Sequence, residues 1–75
     1  MLAVNVQETG LNIKRIMKQR NLSVIDLQEA CGCSTNQSVY KWFHGKNLPT
    51  VDNLVILADL FNCSIDNILC VDEFI

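Results

Sequence analysis

The chain has no long apolar run, few charges and little proline or histidine, and these shortages exclude several classes of protein. No apolar stretch approaches the roughly 20 residues that a membrane-spanning helix needs. Charged residues make up 19% of the 75 residues and hydrophobic residues 49%, a balance typical of a compact globule and not of a disordered chain. Because residues 1–6 lack a basic start and a long apolar stretch, we expect no signal peptide and a cytoplasmic location.

The spacing of the four cysteines fits neither a metal site nor a disulfide framework. Cys31 and Cys33 are separated by one residue, whereas the cysteine pairs of structural zinc sites are separated by two. Cys63 and Cys70 are separated by six, and His44 is the only histidine. We therefore predict reduced cysteines with no metal and no cofactor, and we expect Cys33 and Cys63 to fill the core as small apolar residues.

The charges are unevenly distributed along a chain whose net charge is −2. The six basic residues are Lys14, Arg15, Lys18, Arg20, Lys41 and Lys46. With three acidic residues in the same part, residues 1–47 carry +3, while residues 48–75 have five acidic residues and no basic one and carry −5. Such a chain can present a basic face to a nucleic acid and an acidic face to solvent. The alternative is an ordinary scatter of surface charge.

Capping signals and apolar periodicity predict five helices in one domain. The predicted first residues or caps are, in order, Thr9 or Gly10, Ser23, Ser34 or Thr35, Thr50 and Ser64. Gly32 is expected to end the second helix with a positive φ, and the third helix is expected over 34–44, before Gly45. Since isolated helices shorter than about 12–15 residues are marginal in water, these must share one core. We expect an all-α domain over 9–71, an N-terminal segment 1–8 and a tail 72–75.

The junction between the second and third helices is short, so the two must cross at a steep angle, as in a helix-turn-helix motif. Val39 and Trp42 are expected in the core, which leaves the start of the third helix outside. Asn36 and Gln37 stand there, and an exposed amide can donate to and accept from one adenine edge at the same time. The alternative for both residues is simple helix capping.

The order of residues from Asn12 to Leu69 follows the pattern of a known family. The matching positions are Leu22, Ser23, Leu27, Gly32, Ser34, Val39, Trp42, Gly45, Pro49, Leu54, Leu57, Ala58, Phe61 and residues 64–69. Together they resemble the Cro/repressor-type helix-turn-helix family, also called the xenobiotic-response-element type. The resemblance implies a compact five-helix, lambda-repressor-like domain that binds double-stranded DNA. It also implies a small bacterial or phage transcriptional regulator, a repressor, which binds a palindromic operator as a homodimer.

The resemblance further assigns roles to individual residues. The expected DNA-binding residues are Ser34, Thr35, Asn36, Gln37, Ser38, Tyr40, Lys41, Lys46 and Asn47. In this family the N-terminal part of the third helix contacts base edges, and neighbouring elements hold the phosphates. Asn36 and Gln37 are accordingly expected to read bases, and Lys46 and Asn47 to hold the backbone. Tyr40 has two expected roles, as a phosphate contact or as an interface residue.

Several positions depart from the family pattern. Val24 and Gln28 stand where the family commonly has glutamine and alanine, and Phe43 replaces a frequent acidic residue. One additional residue lies between Gly32 and Val39, so the turn before the third helix is longer. A protein-interaction or antitoxin-like module without DNA binding is therefore the alternative. We expect no enzyme, because no nucleophile–base pair or carboxylate pair is suggested by the spacing.

The two ends of the chain carry apolar residues with no place in a five-helix core. Leu2, Val4 and Val6 alternate with other residues in a strand-like pattern, and Phe74 and Ile75 are apolar at the other end. We predict a homodimer through one or both ends, with the N-terminal segment pairing as a strand across the two-fold axis. The alternative is a monomer with frayed ends.

Overall fold

A computed structural model describes residues 1–73 as a helical body with a small sheet. The elements are β1 (Leu2–Val4), α1 (Val6–Gln19), α2 (Val24–Ala30), α3 (Gln37–Phe43), α4 (Val51–Phe61), α5 (Ile65–Ile68) and β2 (Val71–Glu73). The helical content agrees with the predicted class, and the sheet is an addition to it. The expectation for Phe74 and Ile75 lies outside the described residues. Within 1–73, no helix has both the length and the apolar character needed to cross a membrane.

The first helix begins earlier than predicted. Asn5 precedes α1, and its side-chain oxygen accepts a hydrogen bond from the backbone N–H of Glu8 at 2.9 Å. Asparagine is among the preferred N-cap residues, and the predicted start at Thr9 or Gly10 was wrong because Asn5 stood in a segment interpreted as a strand. Thr9 and Gly10 are buried within α1, where Thr9 Oγ1 accepts a hydrogen bond from the N–H of Cys70 at 3.0 Å.

Two other predicted helix starts are confirmed. Ser23 Oγ accepts from the N–H of Asp26 at 3.2 Å, and the Asp26 carboxylate accepts from the N–H of Ser23 at 2.7 Å, which completes a capping box at α2. Thr50 Oγ1 accepts from the N–H of Asn53 at 3.3 Å at the start of α4. Ser64 stands before α5 as predicted but makes no side-chain cap hydrogen bond. Local capping chemistry therefore sets where α2 and α4 begin.

Helices α1 to α4 end in the same left-handed turn. After each helix a residue has a positive φ, and the N–H of the next residue donates to the carbonyl five positions earlier at 2.9–3.0 Å, which is the Schellman motif. The left-handed residues are, in order, Asn21, Gly32, Gly45 and Asn62. The role predicted for Gly32 is confirmed, and this turn directs the chain from α2 towards α3.

One apolar core joins the five helices. Its buried members are Ile13, Met17, Leu27, Val39, Trp42, Phe43, Leu54, Leu57, Phe61 and Ile68. Gly10 allows α1 to approach α3 closely, because a Cβ at this position would overlap the carbonyl oxygen of Trp42. Asn12 joins α1 to α5, since its amide donates to the carbonyl oxygens of Asn67 at 2.8 Å and Ile68 at 2.9 Å. Gly10 and Asn12 thus fix the scaffold that holds α3.

The four cysteines are free and half-buried. Cys63 packs against the core as predicted, and Cys31 does so as well. The same prediction for Cys33 was wrong, because Cys33 is half-buried in the turn after α2 and does not belong to the core cluster. Burial raises the pKa of the Cys31 thiol, and the neighbouring Cys33 raises it further, so this thiol is protonated at neutral pH. In residues 1–73, no group of three His, Cys, Asp or Glu residues is placed to hold a metal ion.

The two ends of the described chain pair with each other as an antiparallel two-stranded ribbon. The register pairs Leu2 with Glu73, Ala3 with Asp72 and Val4 with Val71. Asn5 extends this pairing, because its N–H donates to the Cys70 carbonyl at 2.7 Å and its side-chain amide donates to the Asp72 carboxylate at 2.9 Å. The predicted strand is therefore present only over β1, because Val6 begins α1, and its partner is β2 of the same chain. A role for it in dimerisation stays a prediction.

Candidate nucleic-acid interface

Helix α3 has one buried face and one exposed face. Its buried residues are Val39, Trp42 and Phe43. Because positions four and seven apart share a face of a helix, Gln37, Lys41 and His44 line the opposite side, and all three side chains are exposed. We refer to these three residues as the α3 stripe. The stripe presents an amide, an ammonium and an imidazole along about 10 Å of helix, estimated from the rise of 1.5 Å per residue.

The turn before α3 differs from the prediction. Ser34, Thr35 and Asn36 are exposed and lie outside the helix, which begins at Gln37 and not at Ser34 or Thr35. The additional residue after Gly32 lengthens the turn, so the chain reaches helical geometry later. Asn36 occupies the N-cap position, but its side chain makes no cap hydrogen bond, and Thr35 Oγ1 instead accepts weakly from the N–H of Gln37 at 3.3 Å. The Asn36 amide is therefore not used for capping.

A groove of about 230 Å³ lies beside the α3 stripe, between α3 and the start of α4. It is lined by Ser38, Lys41, Trp42, Asn47, Leu48, Thr50 and Asn53. The structure thus brings together three of the predicted DNA-binding residues, Ser38, Lys41 and Asn47. Thr50 and Asn53 were not predicted, because Thr50 was interpreted only as a cap and Asn53 shows no signal except its place three residues later. Hydroxyl, amide and ammonium groups of this kind donate to phosphate oxygens.

The other side of α3 carries an aromatic cluster. The Tyr40 ring meets Phe43 edge to face with centroids 6.0 Å apart, and it stacks on His44 at 6.5 Å. The Lys14 ammonium, which α1 supplies, lies 5.8 Å from the centroid of the Phe43 ring. Tyr40 is exposed and adjoins the α3 stripe, whereas Phe43, at the position that is often acidic in the family, is buried. His44 is not among the predicted DNA-binding residues, and its exposure beside Tyr40 adds it to the candidate site.

Four of the six basic residues divide between two surfaces. Lys41 and Lys46 lie at and just after α3, and the N–H of Lys46 donates to the Lys41 carbonyl at 3.0 Å. Arg15 and Arg20 instead line a separate groove of about 380 Å³ between α1 and the α4–α5 region. The Arg20 Nε there donates to the Phe61 carbonyl at 3.0 Å. Only part of the positive charge of residues 1–47 is therefore close to α3.

The same fold occurs in solved structures. The crystal structure of the DNA-binding domain of BldD superposes with a TM-score of 0.70 and 22% identity, covering 88% of this chain and 94% of that one. The S. venezulae BldD DNA-binding domain gives the same TM-score of 0.70 and identity of 22%, covering 88% of this chain and 97% of that one. At this identity the likeness concerns the fold alone.

Sequence comparison gives a result of a different kind. No curated protein matches the chain. A helix-turn-helix family model, however, matches residues 13–68, from the first core residue of α1 to the end of α5. This range contains the C-terminal part of α1 and all of α2, α3, α4 and α5, with the turn between α2 and α3. It covers well over half of the chain. The protein therefore belongs to the Cro/C1-type helix-turn-helix family.

Proposed function

We propose that this protein binds double-stranded DNA sequence-specifically as a small transcriptional regulator, with α3 in the major groove. The observation that carries the proposal is the α3 stripe, a row of exposed polar side chains directly opposite the buried face of a short helix. A major groove about 12 Å wide admits a helix of this size. The family membership and the fold shared with DNA-binding domains of BldD support the same function.

The geometry supports a division of roles between base reading and backbone contact. Asn36 ends the turn and Gln37 begins α3; both side chains are exposed and carry amides that suit an adenine edge. Thr35 and Ser34 precede them in the turn, where a methyl or hydroxyl group can contact thymine or a phosphate. The lining of the α3–α4 groove, with Lys46 beside it and Tyr40 on the other flank, supplies donors for the phosphates on both sides.

We further propose that the regulator is a repressor that occupies a palindromic operator. One copy of α3 presents too few side chains to read more than about half of a typical site, so a two-fold site needs two copies. A compact domain that covers an operator can repress by excluding other proteins from the same DNA. A reporter gene placed behind the selected site should lose expression when the protein is supplied, and a rise in expression would contradict repression.

A protein-interaction or antitoxin-like module with the same fold is the second candidate function. Two observations favour it. Val24, at the start of α2, is half-buried against the core and offers no amide to a phosphate. Residues 48–75 carry −5, a charge that opposes approach to DNA wherever these residues face it.

Selection from a pool of random duplexes at low salt separates the two candidates. We expect retained duplexes to converge on a shared sequence, and Gln37→Ala to weaken that convergence because its side chain faces the DNA. Gln19→Ala, the same change on the exposed surface of α1, is the matched control and should select the same sequence as the wild type. If the protein retains no duplex from the pool, the DNA-binding proposal is rejected and the interaction module is favoured.

A further inference from the structure

The groove between α1 and the α4–α5 region lies outside the proposed DNA interface. Its volume of about 380 Å³ is within the range of roughly 300–1,000 Å³ that is usual for small-molecule pockets. The described residues that line it are Asn12, Arg15, Ile16, Gln19, Arg20, Cys63 and Asn67. Because this lining contains two arginines and neither an aspartate nor a glutamate, it carries a charge of +2. A ligand that matches the groove electrostatically is therefore an anion.

Both guanidinium groups of the groove are held by hydrogen bonds to the scaffold. The Nε of Arg20 donates to the Phe61 carbonyl at 3.0 Å, which leaves both terminal nitrogens of Arg20 as donors for a ligand. A terminal nitrogen of Arg15 donates to Oδ1 of Asn12, and the buried Asn12 side chain is itself fixed by two carbonyl oxygens of α5. Side chains that are already ordered lose less conformational entropy when they bind a ligand. The two cations are thus prearranged along one groove.

The remaining lining residues suit the uncharged part of an organic molecule. Ile16 on the α1 wall and Cys63 on the α4–α5 wall are half-buried and supply apolar surface. Gln19 and Asn67 are exposed, and their amides can both donate and accept hydrogen bonds. Residues 12–20 extend along about 12 Å of α1 at 1.5 Å per residue, which is longer than a single inorganic anion. The groove therefore has room and contacts for a molecule with a charged part and a neutral part.

We propose that this groove binds a small organic dianion, a phosphate monoester or a dicarboxylate, whose charged oxygens pair with Arg15 and Arg20. Guanidinium groups form paired N–H···O bonds with carboxylate and phosphate oxygens, and these bonds are about twice as strong as neutral ones. The uncharged part of the ligand packs on Ile16 and Cys63. Since the ligand contacts both walls, it binds only the folded chain and stabilises it.

Titration of isotope-labelled full chain without DNA tests the proposal. The probes are glycerol phosphate and, in a separate series, succinate. We expect at least one of them to cause saturable shifts of the backbone amide resonances in residues 12–20 and 63–67, and the probe with the lower Kd identifies the class of anion. Uncharged glycerol should cause no such shifts. Inorganic phosphate, which lacks the uncharged part, should bind more weakly than the better organic probe.

Three variants that each lower the net charge by one locate the site. Arg15→Gln should raise the Kd of the better probe at least about tenfold, because charge-assisted hydrogen bonds are lost. Gln19→Glu removes no printed scaffold contact of Arg15 and should also weaken binding, because its carboxylate competes with the ligand for the arginines. Lys18→Gln is the matched control, since Lys18 is exposed on α1 but does not line the groove, and its Kd should equal that of the wild type.

Four results would overturn the proposal. They are the absence of saturable shifts with both organic probes up to millimolar concentrations, equal weakening in Lys18→Gln and Arg15→Gln, inorganic phosphate binding as tightly as the better organic probe, and displacement of the bound probe by a DNA duplex. The last result would assign the groove to DNA phosphates. Because the titrations themselves contain no DNA, their failure leaves the DNA-binding proposal standing, and failure of DNA binding leaves a measured anion site unaffected.

Discussion

Single polar residues in the scaffold determine where α3 is held. Asn12 is only 6% exposed, and its amide satisfies two carbonyl oxygens of α5 while its own side-chain oxygen accepts a hydrogen bond from Arg15. Neither the periodicity of α1 nor the polar character of asparagine indicates that this side chain is buried. The role of Gly10 is equally hidden in the sequence, because its close contact with the Trp42 carbonyl arises from the packing of α1 on α3 and not from a turn.

Asn12→Ala should lower the free energy of unfolding by about 2–3 kcal/mol, because two buried carbonyl groups lose their donor. Urea denaturation measures this loss. Asn67→Ala is the control, since it keeps the backbone carbonyl that Asn12 contacts and changes only an exposed side chain, so stability should change by less than about 0.5 kcal/mol. Equal losses in the two variants would contradict the assigned role of Asn12.

At the DNA interface, base contacts and backbone contacts should respond differently to mutation. Asn36→Ala or Gln37→Ala should cost about 1–3 kcal/mol on the preferred duplex and much less on a scrambled one, whereas Lys46→Ala should weaken both about equally. Fluorescence anisotropy with the two duplexes measures these differences. Because the Asn36 side chain caps nothing, its replacement should leave the melting temperature unchanged. A lower melting temperature with equal losses on both duplexes would restore the capping interpretation.

At the scale of helices and strands, local signals predicted some boundaries and failed at others. Ser23 and Thr50 mark the starts of α2 and α4, because a hydroxyl cap acts within three residues and leaves a pattern in the sequence. The predicted start of α3 at Ser34 or Thr35 was wrong, because the geometry of a lengthened turn depends on how its flanking helices pack. The ribbon could not be predicted as such, since Asn5 and Asp72 are 67 positions apart and their pairing has no local pattern.

The left-handed turn after α4 gives a prediction at this scale. Asn62 has a φ of 56°, a conformation that asparagine and glycine tolerate better than other residues. Asn62→Ala should destabilise the protein by about 1 kcal/mol, because the alanine Cβ clashes in this conformation, and Asn62→Gly should cost little or nothing. Thermal unfolding of the two variants measures the difference. A glycine variant as unstable as the alanine variant would show that the asparagine side chain, and not its backbone, matters.

At the scale of the whole molecule, a chain of net charge −2 has to approach a polyanion. The structure places Lys41 and Lys46 at α3 and Lys14 on its flank, while Arg15 and Arg20 line a different groove. The sequence alone showed the excess of basic residues in 1–47 but not this division, because it depends on which face of α1 packs on α3. The molecule therefore has few cations to offer to phosphates.

The salt dependence of DNA binding should accordingly be shallow. With about three phosphates neutralised by each subunit, the logarithm of the association constant should fall with the logarithm of salt concentration with a slope of about −3 per subunit. Lys41→Gln should make this slope less steep by about one, and Arg15→Gln should leave it unchanged. A steeper slope that responds to Arg15→Gln would move the phosphate contacts to the groove beside α1.

The measurement that tests the central claim most directly is the titration of a selected duplex into isotope-labelled protein, followed by the backbone amide resonances. Binding through α3 predicts that the largest shifts occur within residues 34–47, which hold the turn, the α3 stripe and the loop that follows. Thr50 and Asn53 across the groove should show smaller shifts, and the groove that contains Arg15 and Arg20 should show the least. Largest shifts in that second groove, or no shifts with any duplex, would contradict the assignment of α3 as the DNA-binding helix.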